Sequence, residues 1–166
     1  MNVGDWIRKW SNLKPKKKAL SFEDHPFTYQ EVNRRINQLC HLLLESGVKK
    51  QDRVAVLLYN CLQYLEIFLG LPKIGAILVP LNWRLAGPEL EFILQDSGSR
   101  TLIFEPEFEE VVSSIRSRLN FSDANYVQFV EELPKTASGK IQKFVLKEWH
   151  QKKIRSTKSA IQNNFK

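Results

Sequence analysis

Apolar residues recur at helical spacing at Val32, Ile36, Leu39, Cys40 and Leu43, which predicts a helix over about 29–46. Its start signals are unusually complete. Thr28 and Glu31 have the spacing of a capping box, and Phe27 and Val32 stand at the two positions of a hydrophobic staple. Gly47 follows where a left-handed residue ends helices. Before this helix, Ala19–Phe22 and Phe27–Tyr29 flank the turn-forming group Glu23-Asp24-His25-Pro26, so 19–29 reads as a hairpin.

After residue 53 the pattern changes. Val54–Tyr59 is continuously apolar, as in a strand covered on both faces of a parallel sheet. Asn60, with Gln63 three residues on, predicts a cap for a helix over about 61–74, and Gly75 stops it. Pro72 lies inside that helix and is expected to kink it or end it one turn early. Ile77–Leu81 is a second short strand. Pro88 opens a helix carrying Leu90, Ile93 and Leu94, capped only by the weaker Gly87 and stopped by Gly98. Thr101–Phe104 is a third buried strand. Phe108, Val111, Val112, Ile115 and Leu119 line one face of the next helix, whose early acids and late bases suit its dipole. The polar stretch 120–125 reads as a linker, Tyr126–Val130 as a strand, 134–140 as a loop, 141–153 as a basic helix and 154–166 as a fraying tail.

This alternation defines an α/β fold: a partial doubly wound, mostly parallel sheet flanked by helices, with a short strand–loop–helix piece at the C-terminal end. The expected organisation is an N-terminal α/β subdomain over 1–120, a linker over 121–125, a small C-terminal piece over 126–153 and a basic tail over 154–166.

Composition narrows the function classes. With 43% hydrophobic and 26% charged residues, the 166-residue chain has the balance of a soluble globular protein. Its apolar stretches break before the roughly 20 residues a membrane span needs, so no transmembrane segment is expected. The opening residues lack the apolar core of a secretory signal. Cys40 and Cys61 form no disulfide framework, which points to a reducing, cytoplasmic setting. The net charge of +7 is uneven: 16 Lys/Arg face 15 Asp/Glu over 1–125, but 9 face 3 over 126–166. Such a basic segment suits nucleic acid, an anionic membrane or a phosphate-bearing substrate, and its plain reading is a solvated face. Nucleic acid is disfavoured as a partner, because few aromatics interleave the basic residues and no base-reading motif is present.

Few residues could carry chemistry. His25, His41 and His150 share no metal-ligand spacing with the cysteines, so no metal site is expected. Neither a nucleophile elbow nor a dinucleotide fingerprint is present. Attention falls on Leu133-Pro134-Lys135-Thr136-Ala137-Ser138-Gly139-Lys140-Ile141. This is no phosphate-binding P-loop, since Pro134 and Ile141 occupy positions that such a loop reserves for Gly and Ser/Thr. The small residues Thr136, Ala137, Ser138 and Gly139 instead form a close-approaching loop that presents Lys140. That lysine can serve as a point charge for a carboxylate or phosphate, or simply be solvated on a surface turn.

The same segment resembles the C-terminal signature of the adenylate-forming superfamily, and most closely that of AMP-forming acyl-CoA synthetases. Residues 3–119 independently resemble the N-terminal end of those enzymes, through Phe27–Asn33, Asp52–Leu58, Lys73–Asn82 and Asp96-Ser97-Gly98. The resemblance implies a two-step reaction. A carboxylic or fatty acid attacks ATP, with Mg²⁺, to give an acyl-adenylate and pyrophosphate; coenzyme A then takes the acyl group. It assigns the first-step catalytic lysine to Lys140, where a cation offsets the repulsion between two anions.

Several parts that the resemblance calls for are not found in the chain. The Ser/Thr/Gly-rich loop for the ATP phosphates, the Thr-Glu pair of the metal and adenine site, the ribose-binding aspartate and the Asp-containing hinge are missing. Only six residues separate Leu119 from Tyr126, where most of such an enzyme belongs. The expectation is therefore an acid–CoA ligase shortened internally and catalytically incompetent alone. Two other readings stand beside it: a non-catalytic module that associates with itself or a full-length synthetase, and a basic binder of nucleic acid or membrane surface. Binding of ATP, Mg²⁺ or coenzyme A by this chain itself is in doubt on the same grounds.

Overall fold

The structure, a computed structural model, describes residues 3–119 and the backbone of 125–128. The chain divides into two units, Met1–Gln128 and Phe129–Lys166, and the second lies outside the described residues. The expected loop over 134–140, the helix over 141–153 and the tail over 154–166 fall there as well.

The first unit opens with helix α1 (Gly4–Leu13), which the sequence reading did not anticipate. A two-stranded hairpin follows, β1 (Lys18–Phe22) with β2 (His25–Thr28). Its turn is tighter than expected. His25 and Pro26 belong to β2, and only Glu23 and Asp24 turn the chain, both with positive φ (48° and 62°). Positive φ at both central residues matches the twist of a two-residue hairpin.

Helix α2 (Tyr29–Glu45) starts as expected. Thr28 Oγ1 accepts from the Glu31 N–H, while Glu31 Oε2 accepts from the Thr28 N–H at 2.8 Å. Gly47, with φ of 94°, turns the chain out of it. Then come β3 (Arg53–Leu57), α3 (Leu62–Lys73), β4 (Ile77–Pro80), α4 (Gly87–Ser97), β5 (Thr101–Phe104), a 3₁₀ turn (Pro106–Phe108), α5 (Glu109–Arg116) and β6 (Asn125–Gln128).

Three local expectations need correcting. The cap of α3 is Cys61 rather than Asn60. Pro72 does not end α3 a turn early. The helix runs to Lys73, because only the proline's own donor is lost and the Ile74 N–H reaches back to the Gly70 and Leu71 carbonyls. Helix α4 is capped at Ala86, whose N–H donates to Glu89 Oε2 at 2.8 Å, so one half of a capping box replaces the missing Ser/Thr/Asp.

The four long-range strands form one sheet in the order β4-β3-β5-β6, and every pairing is parallel. The strand near residue 126 thus joins this sheet beside β5. The sheet is covered on both faces. Ala55, Leu57, Leu102 and Phe104 pack against Leu90, Leu94, Phe108, Val112, Ile115 and Leu119 of the α4–α5 side. Alternation turns Val54, Val56 and Ile103 to the other face, where α3 supplies the buried Ile67 and Leu71. Helices α1 and α2 pack on α3, with Ile7, Val32, Ile36 and Cys40 at their centre.

Candidate functional site

Lys140 and the residues expected to present it, Thr136, Ala137, Ser138 and Gly139, lie outside the described residues. Within the first unit, ligand chemistry is best sought at the C-terminal ends of the strands. In an open doubly wound sheet the crevice forms where neighbouring connections depart in opposite directions. Here that point lies between β3, which leads to β4 on one side, and β5, which leads to β6 on the other.

The loops after β3, β4 and β5 meet at this edge. The Glu105 N–H donates to the Leu57 carbonyl at 3.3 Å, and Glu105 Oε2 accepts from the Tyr59 N–H at 3.1 Å, so the carboxylate ties the loop after β5 to the loop after β3. The Tyr59 ring stands edge-on to Trp83, with centroids 5.0 Å apart, and tilts against Phe108 at 4.9 Å. The Arg84 guanidinium lies 4.0 Å over the Trp83 ring. Aromatic contact and a stacked cation therefore fill the edge.

Cys61 sits beside it at the head of α3. Burial pushes its thiol up, the Tyr64 backbone N–H opposes this, and the Glu105 carboxylate raises it further. A thiol held protonated is a poor nucleophile. Cys40, donating to the Gly70 carbonyl at 3.4 Å, is likewise pushed up by burial.

A polar cluster joins α2 to α3. Lys73 Nζ donates to Asn33 Oδ1 at 2.8 Å and to Asn37 Oδ1 at 2.6 Å, and burial lowers its pKa. Arg35 grips the buried Glu66 through both Nε and Nη2, the latter at 3.3 Å from Oε2. These groups satisfy one another and leave nothing aimed at a ligand.

Among the described residues no three His, Cys, Asp or Glu converge as a metal site would require. At the crevice, Glu105 is committed to a backbone N–H. The described donor set therefore does not fit a Mg²⁺–triphosphate. Sequence reading missed the Tyr59–Trp83–Phe108 edge. Its only signal was an aromatic residue just after two of the strands.

The first unit is thus a parallel α/β sheet whose crevice, at the ends of β3, β4 and β5, is lined by aromatic side chains. The family profile described as AMP-binding enzyme matches residues 7–162, and the chain belongs to that adenylate-forming family. It is 43% identical over 101 residues to the fatty acid–[acyl-carrier-protein] ligase ScoC of Streptomyces coeruleorubidus, covering 61% of this chain and 20% of that one. Against the long-chain-fatty-acid–CoA ligase FadD13 of Mycobacterium tuberculosis it is 36% identical over 119 residues, covering 70% and 24%. The solved Mycobacterium tuberculosis fatty acyl CoA synthetase superposes with a TM-score of 0.70 at 32% identity, over 77% of this chain and 26% of that one. Anthranilate CoA ligase AuaEII, solved with anthranoyl-AMP, gives 0.71 at 31% identity, over 78% and 25%. The chain thus spans about a quarter or less of the length of these relatives.

Proposed function

We propose that this chain descends from an AMP-forming ligase that activates a carboxylic acid and passes it to a thiol, and that these 166 residues do not complete the first step alone. One observation carries the reading. The family match runs through residue 162, yet only six residues, 120–125, separate Leu119 from Tyr126, where the resemblance to the segment entering the lysine motif begins. The phosphate-binding loop that should stand between them is not in the sequence. Lys140, in the loop formed by Thr136, Ala137, Ser138 and Gly139, remains the one residue with an assigned chemical role. It would offset charge where carboxylate meets phosphate. A single cation does not replace the positioning that joining two anions requires.

The acid is a fatty or other carboxylic acid, the class acted on by the relatives as their names describe them. The accepting thiol is coenzyme A in one of those names and an acyl-carrier protein in the other, so the acceptor class follows the family and not the residues of this chain.

Acid-dependent ATP–pyrophosphate exchange tests the proposal directly. The expected result, across short to long carboxylic acids, is no exchange above a no-enzyme blank, for the parent and for Lys140→Ala alike. Exchange by the parent that disappears in Lys140→Ala would show a working adenylation site and overturn the reading.

The second reading, a non-catalytic module that pairs with a copy of itself or a longer relative, is favoured by Ile77, exposed on the edge strand β4, and by Phe92, 69% exposed on α4. A concentration-dependent rise in mass by analytical ultracentrifugation supports it, and a monomer at every concentration removes it.

A further inference from the structure

Helix α1 is built with its large residues on the wrong side for a core helix. It buries Gly4, Ile7 and Ser11. It exposes Trp6 (54%), Trp10 (41%), Leu13 (61%) and Val3. At about 100° per residue those four side chains fall on a single arc of roughly 80°, next to the buried stripe.

The arc is held in place. A Cβ on Gly4 would lie 2.7 Å from the Lys73 backbone nitrogen and 2.8 Å from the Leu69 carbonyl oxygen, so α1 lies directly on the backbone of α3. Trp10 stacks on Tyr29 with centroids 5.8 Å apart, and the Tyr29 and Gln30 N–H groups bond the carbonyls of Lys17 and Pro15. The face is therefore a fixed feature of the fold.

Cations border it. Lys9 flanks the arc and Lys14, Lys16, Lys17 and Lys18 follow it in the chain, all of them exposed, while Arg8, about 180° from the centre of the arc, is paired with Asp5 at 2.9 Å. Tryptophans beside a cluster of cations are what an anionic bilayer surface accepts. The indole rings settle at headgroup depth, and the lysines meet the lipid phosphates. A second copy of the same face would bring lysines against lysines, which disfavours self-pairing there. Among the described residues no helix is long and apolar enough to cross a membrane, so contact is at the surface.

We propose that the outer face of α1, with the lysines that follow it, docks this chain on an anionic lipid bilayer. The inference is independent of the ligase reading, since it needs neither Lys140 nor a nucleotide.

The test uses the full chain with Trp83→Phe and Trp149→Phe, which leaves Trp6 and Trp10 as the only indoles. It is mixed with vesicles of phosphatidylcholine alone or with 30% phosphatidylglycerol, each with and without brominated acyl chains. Expected are a blue shift and bromine quenching with the anionic vesicles, absent with the neutral ones. Sedimentation with vesicles should fall about tenfold or more for Trp6→Ser/Leu13→Ser, and by a similar factor for Lys16→Gln/Lys17→Gln/Lys18→Gln, which should also flatten the salt dependence. All these side chains are exposed, so circular dichroism should report an unchanged fold. Equal binding by both variants and the parent overturns the proposal. So does binding lost only when Lys152, Lys153, Arg155 and Lys158 are neutralised, or tighter binding to a DNA oligonucleotide than to the anionic vesicles.

Discussion

The two faces of the sheet are covered by different chemistry. On the α4–α5 side the buried contacts run through apolar residues, from Ala55 and Leu57 to Ile115 and Leu119, and the polar ties, Arg118 to Glu91 and Gln95 to the Arg118 carbonyl, lie at the exposed rim. On the α1–α2–α3 side the apolar contacts are interrupted by polar ties: Arg35 to Glu66, Lys73 to Asn33 and Asn37, and Cys40 to the Gly70 carbonyl. One layer of helices rests on the α4–α5 side, whereas α3 carries two more helices on its back. Apolar packing is non-directional and tolerates sliding, but a hydrogen-bonded pair fixes register. The outer stack therefore places polar ties between its helices in part-buried positions, where the α4–α5 layer keeps its own at the solvent rim.

Removing volume from the apolar side should have the largest effect. Leu102 is fully buried in that cluster, and Leu102→Ala leaves a cavity that the rigid sheet cannot close. The expected loss is about 3–4 kcal/mol, read as a lowered urea midpoint with an unchanged slope. A loss below about 1 kcal/mol would mean that this side is loosely packed and the contrast between the faces is false.

The polar side should show a different signature, non-additivity. Arg35→Met leaves the buried Glu66 carboxylate without its guanidinium. The expected cost is about 2–3 kcal/mol, below that of a fully buried pair because water reaches Arg35. Adding Glu66→Leu should restore stability to within about 1 kcal/mol of the parent, since the isolated charge and not the lost bond carries the cost. A double mutant as unstable as the sum of the singles would show two independent packing roles instead of a tie.

How much of this was legible in the sequence depended on range. Helix α2 was readable in full, because Thr28, Glu31 and Gly47 act within a few residues of each other. The buried strands were readable because both faces of each are apolar, which gives the continuous runs at 54–58 and 101–104. Helix α1 was not. Its exposed tryptophans and buried Gly4 invert the usual pattern, so periodicity pointed to no single inner face. The Tyr59–Trp83–Phe108 edge was equally hidden, since three loops are brought together there only by the order β4-β3-β5. The lysine motif was visible as sequence alone, and its residues lie outside the described structure.

The smallest effect expected concerns how the two sides cap their helices. On α2 both halves of the box are present, and Glu31 Oε2 receives both the Thr28 N–H and the Thr28 hydroxyl, each at 2.8 Å. On α4 only Glu89 reaches back, to the Ala86 N–H. The two donors from Thr28 hold the Glu31 carboxyl below its ordinary 4.5. A carboxyl depressed in the folded chain contributes stability above its unfolded value and loses it as pH falls through the lowered one. Glu31→Gln should therefore lower the urea midpoint slightly at pH 7, and the gap to the parent should begin to close below about 4.5 and vanish once the lowered pKa is passed. A gap that stays constant from pH 7 to the acid limit would mean that the ionised state of Glu31 adds nothing. The cap of α2 would then be no stronger than the half box on α4.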